Sequence, residues 1–131
     1  IAGVDRFNHW LAVDPVTGDV NVSFYDTRND TTGSRFMTDI YFSQSQTGGT
    51  SWLQNVRVTD VSSNEHDCNG VFPCNAIDYG NQQGDYAGLA SFGGVSYPIW
   101  TDSRDQLHAL AGCRTGLAME EVFTAAVSSR R

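Results

Sequence analysis

The feature that most constrains this chain is that it repeats itself. At an offset of 76 residues, the distance from Trp10 to Tyr86, the sequence aligns with itself without a gap. Trp10 falls on Tyr86, Val13 on Leu89 and Gly18 on Gly94. Phe24-Tyr25-Asp26-Thr27-Arg28 falls on Trp100-Thr101-Asp102-Ser103-Arg104, so an aromatic followed by x-Asp-[Thr/Ser]-Arg occurs twice at one distance from a hairpin turn. Asp39-Ile40-Tyr41-Phe42-Ser43 is echoed by Glu121-Val122-Phe123-Thr124-Ala125 at a different offset. The chain therefore holds two copies of a three- or four-stranded antiparallel unit with a long segment between them.

The local pattern agrees. Helical periodicity is nearly absent, and short apolar runs alternate with Gly, Asn, Asp and Thr clusters, an all-β pattern. Strands are expected at 10–14, 20–25, 39–45 and 54–59 in the first unit, and at 86–91, 95–101 and 120–126 in the second. Val20, Val22 and Phe24 share one face of their strand. Pro15-Val16-Thr17-Gly18-Asp19 reads as a turn, with Pro early and Gly late. Residues 61–84 show no strand pattern, and a loop of that length is usually functional, stapled or both. Repeats of four short strands are the mark of propeller blades.

Composition narrows the function classes. With 15 acids against 8 bases, all of them Arg, the net charge is −7. Such a chain is a poor grip for phosphate backbones, so no nucleic-acid partner is expected. No apolar run approaches the roughly 18 residues of a membrane helix. The chain begins with Ile1 and shows no signal peptide, which suggests a mature product, a fragment or an incomplete sequence.

Three cysteines are present. Cys68 and Cys74 lie in one loop with Gly70 and Pro73 between them, and a local disulfide in an oxidising compartment is the best reading. A zinc pair, with only His66 close by, and two reduced thiols remain open. Cys113 is free or pairs with a segment outside this sequence. Asn21-Val22-Ser23 and Asn29-Asp30-Thr31 have the form of glycosylation sequons.

Ser45-Gln46-Thr47-Gly48-Gly49-Thr50-Ser51-Trp52 resembles the Asp-box of sialidase-type propellers, Ser-x-Asp-x-Gly-x-Thr-Trp. Ser45, Gly49 and Trp52 match, Ser51 replaces Thr and Thr47 replaces Asp. The box is structural in that family: a small polar residue bonds backbone groups, Gly takes the turn and Trp packs under it. The phrases Trp10-Leu-Ala-Val-Asp-Pro, Phe24-Tyr-Asp-Thr-Arg and Gly84-Asp-Tyr-Ala-Gly-Leu are similar to the C-terminal part of secreted bacterial proteins of the sialidase-like, BNR-repeat class. The resemblance covers residues 5–60 and 84–127. It implies an all-β, sialidase-like β-propeller portion of about two four-stranded antiparallel blades, one over residues 5–60 and one over 85–127, joined by a disulfide loop at 61–84. A complete ring of that kind has six blades, so the remaining blades come from the same chain or from other subunits. Val127 near the end, with no fourth strand after Phe123, fits a last blade whose missing strand the N-terminal region supplies.

In such a ring the start of the first strand and the loop after the second share one rim. Here that rim holds His9, Trp10, Asp26, Arg28, Asp85, Tyr86, Asp102 and Arg104. Arg28 and Arg104 either grip the carboxylate of an anionic sugar, which Arg matches bidentately, or pair with Asp26 and Asp102 within each blade. The repetition of the pair favours the second, because active sites are asymmetric and scaffolds repeat. The resemblance also offers Tyr86 as a sialidase-type nucleophile and Asp85 as its general acid, since a phenol meets less charge repulsion than a carboxylate at an anionic-sugar centre. Against this, the family's Ser is Ala87 here, Trp10 holds the equivalent place in the other copy, and Asp85 also suits a turn cap. Glu65, His66 and Asp67 suit a cation or, more plainly, an exposed acidic loop. Residues 107–119, with His108, form an insertion. His9, His66 and His108 have no triad context. No metal or cofactor is implied.

The expected function is a secreted, non-catalytic propeller module that binds glycan or protein or helps extracellular assembly. The alternative is the C-terminal part of an exo-sialidase-type hydrolase acting on sialylated glycans, and a third is another hydrolase or metal-dependent enzyme on the same scaffold.

Overall fold

The computed structural model describes residues 3–64, 86–102, 104, 106–107, 117–118 and 121–129. Among them no helix forms. Sheet one contains β1 (Arg6–Val13), β2 (Val20–Asp26), β3 (Met37–Ser45), β4 (Val56–Arg57) and β5 (Ser63–Asn64). The strands run antiparallel in the order β1-β2-β3, and β4 and β5 both pair with β3 as two pieces of one outer row. Sheet two contains β6 (Gly88–Phe92), β7 (Val95–Asp102), and the later β10 (Glu121–Thr124) and β11 (Val127–Ser128). A separate two-stranded ribbon joins β8 (Gln106–Leu107) to β9 (Leu117–Ala118). β10 and β11 both lie along β7, so Val127 continues the third row and begins no fourth.

The second and third strands of the two sheets are copies in register as well as in sequence. Phe24 stands opposite Tyr41, and their counterparts Trp100 and Phe123 stand opposite each other. The first pair of rings stacks at 6.4 Å and 23°, the second at 6.2 Å and 22°. The weaker sequence echo at 121–125 is thus a true third strand.

The first strands depart from the gap-free alignment. β1 begins at Arg6, earlier than expected, because a bulge carries it past Asn8, whose φ is +47°. Two residues of β1, Asn8 and His9, there oppose one of β2. Trp10 is paired with Ser23, whereas Ile99, the repeat counterpart of Ser23, is paired with Gly88. The place of Trp10 is therefore taken by Gly88 in sheet two, and the Trp10–Tyr86 equivalence does not hold in register. The cause is turn length: Asp14 still pairs with Asp19 across Pro15–Gly18, but Phe92 pairs with Val95 across Gly93-Gly94 alone. Gly18, Gly93 and Gly94 supply the positive φ these turns need. β5 likewise lies within 61–84, where no strand is expected, as a two-residue rung against Met37 and Thr38.

The two sheets pack face to face. In β2 the residues Asn21, Ser23 and Tyr25 are buried, while Val20, Val22 and Phe24 do share a face but remain only partly covered. In β7 burial alternates strictly, with Ser96, Pro98, Trp100 and Asp102 inside. The core cluster is Tyr25, Ile40 and Trp100, with Phe7 and Phe123 packed against it. Each such buried side chain contributes roughly 1.5–3 kcal/mol, so this is a small core. Asn21 is 1% exposed, and its amide donates to Asp19 O and accepts from Gln44, which leaves no room for a glycan at that sequon.

Candidate functional site

The two Asp-x-Arg elements sit where β2 and β7 end, and both fold into the same corner. Asp26 Oδ1 accepts the Arg28 backbone N–H at 2.7 Å, and Asp26 Oδ2 accepts Arg28 Nη2 at 2.6 Å and Arg6 Nε at 2.9 Å. Asp102 Oδ1 accepts the Arg104 backbone N–H at 2.8 Å, and Asp102 Oδ2 accepts Arg104 Nε at 2.8 Å, Nη2 at 2.5 Å and Trp100 Nε1 at 3.2 Å. Each Asp thus bonds both the backbone and the side chain of the Arg two residues on, closing an Asx-type turn. Each guanidinium then lies over the aromatic ring of the third strand, Arg28 at 3.9 Å from the Tyr41 centroid and Arg104 at 4.7 Å from that of Phe123. Arg104 also pairs with Asp60, tying the end of sheet one to sheet two.

A second carboxylate faces Asp26 across the β2–β3 ladder. Asp39 is paired in register with Asp26, as Glu121 is with Asp102. Like charges so placed repel unless each is neutralised. Asp39 is neutralised by Arg57 Nη2 at 2.7 Å, with Thr59 at 2.7 Å, Asn29 at 2.7 Å and Ser62 at 3.0 Å completing the shell. After Val58, whose N–H still donates to Ile40 O at 2.8 Å, the chain leaves the ladder until β5, and Thr59 and Ser62 from that stretch reach Asp39. Burial pushes both carboxyls up, but their hydrogen bonds and cations outweigh it. Asp26, bonded to Arg28 and Arg6, and Asp39, bonded to Asn29, Thr59, Arg57 and Ser62, both lie below the ordinary carboxylate value. Asp39, Arg57 and Arg6 are absent from the sequence reading of the rim; the Asp39–Glu121 match within the third-strand echo is the signal that points to Asp39.

The Ser45–Trp52 turn is closed by its own side chains, but Trp52 is 45% exposed and does not pack under it as the resemblance implies. Ser45 Oγ accepts the N–H groups of Thr47 at 3.3 Å and Gly49 at 2.8 Å. Thr47 Oγ1 accepts the Ser51 N–H at 2.9 Å, so a hydroxyl does the work of the absent carboxylate. Trp52 Nε1 donates to Gly49 O at 3.1 Å, and Gly48 and Gly49 both have positive φ. The turn is a closed local network with no donor set for chemistry.

Tyr86 lies apart from these corners. It is 80% exposed, stands just before β6 and makes no hydrogen bond to another described residue, so the expectation that it packs against its sheet as Trp10 does in the other is not met, and Trp10 is itself 45% exposed. It borders an open groove of about 250 Å³ with Gly88, Ile99, Thr101 and Val122. A Cβ on Gly88 would come within 2.6 Å of Ile99 Cγ2, so only glycine allows this close approach. Among the described residues no carboxylate lines the groove. Trp10 and His9 are exposed on β1. Asp85, Glu65, His66, Asp67, Cys68, Cys74, His108 and Cys113 lie outside the described residues. Among the described residues no group of three or more His, Cys, Asp or Glu is arranged to hold a metal ion, and no helix is long and apolar enough to cross a membrane. Comparison with known proteins finds no family model, no curated protein and no solved structure that matches this chain.

Proposed function

We propose that this chain is a two-blade segment of a sialidase-like β-propeller, and that it serves as a secreted, non-catalytic module that binds glycan or protein or helps extracellular assembly. One observation carries the non-catalytic reading: in both sheets the arginine that resembles a sugar-carboxylate clamp is bound through its backbone N–H and Nη2 by its own aspartate, and Arg104 is bound by Asp60 as well. A ligand carboxylate would have to displace Asp26 or Asp102, each almost wholly buried. The stacked rings, the repeated corners and the Ser45–Trp52 turn support the propeller reading. A local Cys68–Cys74 disulfide belongs to the same proposal and suits an extracellular setting.

The exo-sialidase alternative requires Tyr86 to be a nucleophile and the arginines to face substrate. A fluorogenic sialoside tests it with the full chain and Tyr86→Phe. Neither protein should release fluorophore above the no-protein rate. Turnover by the wild type that Tyr86→Phe abolishes would reverse the assignment.

A further inference from the structure

The two sheets do not meet through equivalent faces. Sheet one contributes the Tyr25 face of β2, whereas sheet two contributes the Trp100 face of β7, and Trp100 is the repeat counterpart of Phe24. The contact is therefore head to tail. Among the described residues it leaves one face of each kind without a partner. On sheet one the Phe24-type face, with Val20 and Val22 of β2 and Leu11 and Val13 paired beside them on β1, is only partly covered; Leu11 is 55% exposed. On sheet two the Tyr25-type face, with Tyr97 and Ile99 of β7 and Val122 of β10, is open; Val122 is 71% exposed. These are the same two kinds of face that already pack together inside the molecule.

We infer that a second copy of this chain seats its Leu11/Val22/Phe24 face on the Tyr97/Ile99/Val122 face of the first, repeating between copies the contact that joins the two sheets within one. The occupant follows from the repeat: the face that completes sheet two must be of the Phe24 type, and the chain carries one, unpartnered, at its other end. A heterologous contact of this kind closes into a ring when its rotation allows and grows into an open series when it does not. The inference rests on the propeller reading for closure, under which three copies supply six sheets, but the contact itself stands on the two faces alone. A net charge of −7 per copy opposes association, so added salt should strengthen it.

Sedimentation of the full chain with Leu11→Glu and Val122→Glu tests the contact. Both residues are more than half exposed within one copy, so neither change should disturb the fold, which circular dichroism checks. The wild type should self-associate, more so at higher salt. Each variant alone should associate at least about 100-fold more weakly, because a carboxylate would be buried in an apolar contact. An equimolar mixture of the two should form dimers and nothing larger, since each supplies the face the other lacks. Wild type that stays monomeric with its sheets intact, or a mixture that does not dimerise, would overturn the inference and assign these faces to another occupant. A wild-type series that grows past three copies would uphold the contact and defeat the closed ring, so the two readings fail separately.

Discussion

The hydroxyl of Tyr25 takes the place of a missing strand for Thr101. It donates to Thr101 O at 2.8 Å and accepts from Thr101 N–H at 3.0 Å. β6 begins only at Gly88, opposite Ile99, so Thr101 has no ladder partner on that side. One O–H donor and one lone pair meet both backbone groups. Burial, aided by the charge of Asp102, holds this phenol well above its ordinary titration range, so it is a donor at neutral pH. Tyr25 and Thr101 are repeat counterparts, and this bond spans the sheet-to-sheet contact.

Tyr25→Phe keeps the ring, its 5.1 Å stack on Phe7 and its place in the core, but leaves both Thr101 groups without a partner. Urea unfolding should show a loss of about 1–3 kcal/mol. An unchanged midpoint would mean that water replaces the hydroxyl without cost.

Asp14 links the two hairpin turns. Its carboxylate accepts the N–H groups of Val16 at 2.8 Å and Thr17 at 3.2 Å in its own turn, and those of Gly93 at 3.1 Å and Gly94 at 2.6 Å in the turn of sheet two. Burial raises its pKa, yet the four donors, Gly94 foremost, bring it below the usual carboxylate value. Asp14→Ala should therefore speed amide exchange at Gly93 and Gly94 as well as at Val16 and Thr17. Faster exchange confined to residues 16 and 17 would show that the turns are independent.

The pH dependence follows from Asp26 and Asp39. Both have folded pKa values below the ordinary 3.8, so the unfolded chain binds protons first as pH falls. Their stabilisation is fully present above that value and is lost progressively below it, as pH drops through the depressed folded values. Stability should stay flat from neutral pH to about pH 5 and then fall steeply. Asp39→Asn should lower stability at pH 7 and flatten the acid limb. A variant with an unchanged acid slope would contradict the role given to this carboxylate.

Much of the fold was legible because period-two alternation and the repeat act locally. The 76-residue match located β2 and β7, and the Asp-x-Arg pairs announced their corners through their own spacing. The register of the first strands was not legible, because a bulge at Asn8 and a two-residue turn at Gly93-Gly94 change the pairing without changing the pattern of residue types. A two-residue shift keeps every side chain on its face, so the sequence tolerates it silently. Asp39 was hidden for a different reason. Its partners Asn29, Arg57, Thr59 and Ser62 are scattered along the chain and meet only after β3 and its outer row have paired. That Tyr25 rather than Phe24 enters the core depends on which face of sheet one meets sheet two, which no local signal encodes.

The central claim is that Arg28 and Arg104 are scaffold, each held by its own aspartate. Double-mutant cycles on unfolding free energy measure this directly, with Asp26→Asn and Arg28→Gln in one cycle and Asp102→Asn and Arg104→Gln in the other. Both pairs should show coupling of about 1 kcal/mol or more, because both carboxylates are buried and both guanidinium groups mostly covered. Coupling near zero in either pair, with single variants as stable as the wild type, would contradict the claim and free that arginine for a ligand.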